Sequence, residues 1–231
     1  MPELPEVETI ARRLQEPLLG RRVAGIQLLW ERTLAEPTPE VFGQRIVGPR
    51  ICSLRRRGKF LVFGLSGRLF LLVHLRMTGR LEVLPPEAPR SPHTRVIFDL
   101  DDGRELRFAD ARKFGRIWLV DDPEVVLGDL GPEPLAEAFT AEVFRELLAG
   151  RQGRIKPLLL DQRFLAGLGN IYADEALHLA GVHPCRPACS LTEEEAGRLH
   201  QAIRQVLQEA IGDGGGGVKC TPETGQFSGC F

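Results

Sequence analysis

The chain has 231 residues, 43% of them hydrophobic and 26% charged, the balance of a globular protein with room for one large domain or two modest ones. Its longest apolar tract, 60–75, is broken by Gly64, Ser66, Gly67 and Arg68 and falls short of the ~20 residues a membrane helix needs. Three glutamates in the first ten residues argue against an export leader, so the expected compartment is the cytoplasm.

A net charge of −1 conceals a segregation: positions 41–81 hold nine basic residues and no acid, while 120–146 hold eight acids and one arginine. A concentrated positive field suits a polyanionic partner, because each neutralised phosphate releases counterions whatever the rest of the surface carries. For any single arginine, a solvated strand face is the plainer role.

At the N-terminus, Met1-Pro2-Glu3-Leu4-Pro5-Glu6 sets a proline directly after the initiator methionine. Trimming of Met1 would give Pro2 a free secondary amine, with an ordinary pKa of about 8, partly unprotonated near neutrality and able to attack an electrophilic carbon. Condensation with a sugar aldehyde gives an iminium ion that eases loss of a phosphate, and Glu3 stands beside it as proton donor or acceptor. Opening a helix is the commoner task for such a proline, but Pro5 fits that better. From Glu6, the spacing of Val7, Ile10, Ala11 and Leu14 predicts a helix with one buried face.

Segments 22–29, 60–65, 69–75, 81–84, 96–100, 105–109 and 117–120 read as strands, with a hairpin turn at Asp102-Gly103, and suggest an antiparallel β-sandwich. Proline and acidic residues gather at 121–137, after which 141–148, 155–161, 171–180 and 193–211 read as helices, the last with a capping box at Thr192-x-x-Glu195. The expected organisation is therefore α+β: a β-sandwich with a leading helix over 1–125, a helical domain over 126–213, and an irregular tail over 214–231 that opens with four glycines.

Five cysteines without an export signal point to reduced thiols. Cys52 lies in a strand-like run and is expected in the core. Cys185, Cys189, Cys220 and Cys230 lack the tight Cys-x-x-Cys spacing of structural zinc, so no cofactor is expected.

Three further segments carry chemistry. Arg55-Arg56-Arg57-Gly58-Lys59 puts one of only four lysines at the start of an apolar strand, as a functional cation or a strand-edge gatekeeper. An exposed loop with Arg112 and Phe114 can wedge between base pairs, although a core phenylalanine in a turn is commoner. Gly167-Leu168-Gly169-Asn170-Ile171 is a tight turn into a helix start, where amides at Asn170 and Ile171 would face an anion such as a phosphate, or Asn170 would cap the helix.

Taken in order, Pro2-Glu3-Leu4-Pro5-Glu6, Arg57-Gly58-Lys59, His74-Leu75-Arg76-Met77-Thr78-Gly79, Arg112-Lys113-Phe114-Gly115, Leu130-Gly131-Pro132-Glu133-Pro134-Leu135 and Gly169-Asn170-Ile171-Tyr172-Ala173 resemble the motifs of the formamidopyrimidine-DNA glycosylase family, over residues 1 to about 211. The resemblance implies a base-excision-repair enzyme, a DNA glycosylase with AP lyase activity toward oxidised purines (formamidopyrimidine, 8-oxoguanine). It implies a β-sandwich, a helix-two-turns-helix domain, and double-stranded DNA held between them. By the same resemblance Pro2 is the Schiff-base nucleophile, Glu3 the acid/base and Lys59 a phosphate-contacting cation that supports strand cleavage. His74, Lys156 and Asn170 are phosphate contacts, and Met77, Arg112 and Phe114 fill the gap left by the extruded base. A base must leave the stack before a proline can reach C1′, and the vacated space must be filled.

The family's zinc finger and the flexible loop before it are not recognisable after Ile211. Three alternatives follow: a weakened member that only binds abasic or distorted DNA, an oxidised-pyrimidine glycosylase, or an enzyme that uses Pro2 as a base on a small keto acid. A monomer is expected.

Overall fold

The computed structural model describes residues 1–214. Helix α1 (Leu4–Leu18) begins two residues before the start that its apolar spacing predicts. Pro5 lies in its first turn, where a missing N–H costs nothing, and Glu3 and Glu6 form a reciprocal capping box.

Beyond it come β1 (Val23–Leu28), β2 (Leu34–Glu36), α2 (Pro39–Ile46), β3 (Ile51–Arg57), β4 (Phe60–Leu65), β5 (Leu69–His74), β6 (Arg80–Leu84), β7 (Thr94–Leu100), β8 (Glu105–Ala109) and β9 (Arg116–Val120). One sheet runs β1-β7-β8-β6 and the other β2-β9-β5-β4-β3; only the short β2–β9 pairing is parallel. A three-residue strand is too short to show alternation, which is why β2 does not stand out in the sequence.

Strands β4 and β5 read as unbroken apolar runs because both faces of their sheet are covered. Leu61, Phe63, Leu71 and Val73 point into the main core with Val7, Leu14, Phe98 and Phe108, whereas Val62 and Leu72 face a smaller cluster under Leu127. Cys52, expected in the core, is exposed. It sits on the edge strand β3, where a bulge between Ile51 and Ser53 turns Cys52 and Ser53 outward together.

The second half is helical: α3 (Glu124–Leu127), α4 (Ala141–Leu148), α5 (Ile155–Leu160), α6 (Asn170–Ala180) and α7 (Glu193–Gly212). Thr140 caps α4, and the Thr192/Glu195 capping box forms on α7 as its spacing predicts. Phe139, Phe144, Leu159, Tyr172, Leu199 and Ile203 build a second core. Leu4 belongs to that core while the rest of α1 packs in the first, so the N-terminus is pinned where the two halves meet. Among the described residues no helix is long and apolar enough to cross a membrane.

Candidate active site and nucleic-acid interface

The N-terminal segment of the site is held by the helical half. The Leu4 N–H donates to the Gly167 carbonyl at 3.0 Å. The Glu3 carboxylate, 3% exposed, accepts from the amides of Gly169 at 2.7 Å, Ile171 at 3.1 Å and Tyr172 at 3.5 Å, and so caps α6 from 166 residues away in sequence.

This corrects two expectations at 169–171: the N-cap is Gly169 rather than Asn170, and the anion at the Ile171 amide is Glu3 itself. Glycine is required at 169 because a Cβ there would lie 2.3 Å from the Glu3 carboxyl carbon. Glu6 completes the clamp, accepting from the Glu3 N–H at 2.7 Å and from the buried Tyr172 hydroxyl at 2.6 Å.

Lys59 is 6% exposed in the turn between β3 and β4, so it is not a solvent-facing gatekeeper. The turn needs Gly58, whose φ is +56°, and its N–H donates to Glu133 Oε1 at 2.5 Å. Arg56 and Arg57 also pair with Glu133, at 2.7 and 3.2 Å, and Arg57 donates to the carbonyls of Leu130 and Gly131. Two of the nine basic residues in the cationic stretch are therefore internal ties that bind the Lys59 turn to the acidic linker.

Burial raises the Glu3 carboxyl above its ordinary value against the pull of the Ile171, Tyr172 and Gly169 amides and of Lys59. Burial likewise lowers the Lys59 ammonium, opposed by Glu3 and Glu6. Each group is moved toward the pH at which it can exchange a proton.

His74 ends β5 at 8% exposure, with its ring edge-on to Phe60 at 4.7 Å. Burial, assisted by Arg76 and Lys59, pushes it down to about 3. The Arg76 N–H donates to Nδ1 at 3.0 Å, which leaves Nε2–H of the neutral ring as a donor.

Met77 and Phe114 are 46% and 54% exposed and lie together on one surface. With Met1, Arg76 and Arg116 they line a shallow hollow of about 420 Å³, and Arg112 Nη1 contacts Met77 Sδ at 3.1 Å. Hollows of like volume occur elsewhere, one of about 450 Å³ between α1 and β6, so chemistry and not size distinguishes this one.

Pro2, Glu3, Lys59 and His74 thus gather at one junction beside Met77, Arg112 and Phe114. Asn170 is exposed at the adjoining end of α6, and Lys156 on α5 pairs with Asp174 at 2.8 Å. The roles of Glu133 and Thr78 have no signal in spacing, because each acts on a segment distant in sequence; Glu6 is marked only by its capping-box spacing to Glu3. Only Asp110, with Gly115 five residues on, carries a local turn signature.

Cys185 and Cys189 are free and exposed, and among the described residues no group of three or more His, Cys, Asp or Glu could hold an ion; Cys220 and Cys230 lie outside the described residues, as does nearly all of the predicted tail.

Residues 1–117 match the formamidopyrimidine-DNA glycosylase N-terminal domain, and residues 130–221 match the formamidopyrimidine-DNA glycosylase H2TH domain. The chain belongs to the formamidopyrimidine-DNA glycosylase family. It is 47% identical over 212 residues to the formamidopyrimidine-DNA glycosylase of Protochlamydia amoebophila, covering 91% of this chain and 77% of that one. To the Moorella thermoacetica glycosylase it is 49% identical over 223 residues, covering 95% and 81%. The complex of Lactococcus lactis Fpg with abasic-site DNA superimposes with a TM-score of 0.86 at 37% identity, covering 91% of this chain and 78% of that one. A mutant of the Lactococcus lactis Fpg in complex with DNA containing Fapy-dG gives 0.88 at 36%, covering 96% and 82%.

Proposed function

We propose that this chain is a base-excision-repair DNA glycosylase and AP lyase acting on oxidised purines, formamidopyrimidine and 8-oxoguanine, in duplex DNA. One observation carries the reading: the N-terminal Pro2-Glu3 pair is clamped by α6 beside buried Lys59 and opens onto a rim of exposed Met77 and Phe114. A solvated helix start would need none of these ties.

In this reading removal of Met1 frees the Pro2 nitrogen, which attacks C1′ as the glycosidic bond breaks and the base leaves with a proton. The nitrogen's lone pair then forms the iminium as the C1′–O4′ bond breaks and O4′ takes a proton, which Glu3, Lys59 or a water they hold delivers. Loss of the C2′ proton expels the 3′ phosphate, a second elimination expels the 5′ phosphate, and water releases the sugar remnant from Pro2.

Lys59 and the neutral Nε2–H of His74 face backbone phosphates, joined by Lys156 and Asn170. Met77, Arg112 and Phe114 occupy the vacated stack. Residues 1–125 form the catalytic half and 126–213 the DNA-gripping half. No metal takes part, and elemental analysis of the purified protein is expected to return no stoichiometric zinc. In this reading the protein acts as a monomer in the bacterial cytosol.

Borohydride reduction during incubation with an abasic duplex is expected to trap a covalent adduct on the N-terminal peptide, and Pro2→Gly to lose it. An adduct mapped elsewhere, or Met1 retained in active protein by mass spectrometry, would overturn the mechanism. Salt-sensitive binding without any adduct would reduce the chain to a damage-binding protein.

A further inference from the structure

The turn after β5 carries Met77 and the loop after β8 carries Arg112 and Phe114; one carboxylate joins them. Asp110, 1% exposed, accepts at Oδ1 from the Thr78 hydroxyl and from the Arg112 N–H at 3.2 Å, and at Oδ2 from the Gly115 N–H at 2.7 Å. The Thr78 hydroxyl oxygen also accepts from that Arg112 N–H at 3.2 Å. The main chain of Asp110 is fixed as well: its N–H donates to the His93 carbonyl at 2.8 Å, and its carbonyl accepts from Arg95 Nε at 2.9 Å.

The loop closes tightly behind it, since a Cβ on Gly115 would lie 2.4 Å from the Phe108 ring. Burial works against ionisation of Asp110, but hydrogen bonds from Thr78, Gly115, Arg112 and Phe114 prevail and hold its carboxyl below the ordinary value, so both oxygens stay acceptors at neutral pH.

Two non-glycine residues beside the joined segments, Arg76 and Lys113, have φ of +53° and +60°. Such backbone persists only where its surroundings over-determine it.

We infer that Asp110 is a positioning residue that locks the Met77 turn to the Arg112–Phe114 loop, so that the three side chains enter the duplex as one rigid wedge. The inference rests on the glycosylase reading above. Loops free to move separately would spend binding energy on ordering themselves at the moment of insertion.

The test compares two substrates. A duplex holding 8-oxoguanine requires the wedge, whereas a single-stranded oligonucleotide with a preformed abasic site has no stack to fill. Thr78→Val removes the hydroxyl between the loops, Thr78→Ser restores it, and Asp110→Asn sets a donor against either the Gly115 or the Arg112 amide.

Loss of one hydrogen bond to a charged acceptor is expected to slow duplex excision by about tenfold in Thr78→Val and Asp110→Asn. Single-strand cleavage should stay at the wild-type rate, and Thr78→Ser should match the wild type on both. An equal fall on both substrates would assign Asp110 to general folding and overturn the inference, as would unchanged duplex excision. A wild-type chain inert toward both substrates would overturn the glycosylase reading, and this inference with it.

Discussion

Replacing His74 with glutamine isolates the cost of burying an imidazole at the end of β5. The ring is held from 6.5 down to about 3, chiefly by burial. Below pH 6.5 the unfolded chain takes up a proton that the folded chain refuses, so stability falls with pH until about pH 3 and then levels off. Each unit is worth about 1.4 kcal/mol, so the descent from pH 7.5 to pH 5 removes about 2 kcal/mol through this residue alone.

The raised Glu3 carboxyl has the opposite sign, contributing stability below its ordinary value that is lost as pH rises through the folded one. It is common to both proteins and cancels in the comparison. Guanidinium titrations at the two pH values should show the wild type losing about 2 kcal/mol more than His74→Gln. Equal losses would refute the buried neutral ring. Because that ring carries no charge at neutral pH, the phosphate contact proposed for it would release no counterion, so His74→Gln should weaken DNA binding without changing the salt slope.

Lys156→Ala should behave otherwise, lowering the slope of log K against log salt by about 0.9 in fluorescence-anisotropy titrations; an unchanged slope would remove Lys156 from the interface. Gly169→Ala drives a methyl into Glu3, so it should weaken the α6 cap by about 0.5–2 kcal/mol and cut borohydride trapping at least as much as Glu3→Gln does. Trapping at the wild-type level would show that the clamp does not position the N-terminus. Phe114→Ala, at an exposed site, should leave thermal stability within about 0.5 kcal/mol while slowing excision from duplex DNA; a large loss of stability would mark Phe114 as packing instead.

Much of this site is legible in one dimension because its chemistry is local. An amine after a trimmable methionine, an Arg-Gly-Lys turn and a loop pairing arginine with phenylalanine each declare themselves by residue type and neighbour. Alternation and helical period likewise place most strands and five of the helices, and Thr192-x-x-Glu195 marks the start of α7 without any tertiary help. The misplacements fall where distant parts meet. Cys52 follows an apolar residue in a strand, but a bulge on an edge decides which way it faces. Arg56 and Arg57 look like phosphate ligands until Glu133 is brought to them.

Sequence alone therefore determined the β-then-α order and marked the candidate reactive groups, since both follow from side-chain chemistry and from periods of two and 3.6 residues. Only the folded chain decided which charges are spent inside the molecule, that Glu3 caps a helix 166 positions away, and that Asp110 joins two loops. Such contacts depend on burial and on directed hydrogen bonds between segments with no fixed separation along the chain, so no spacing in the sequence records them.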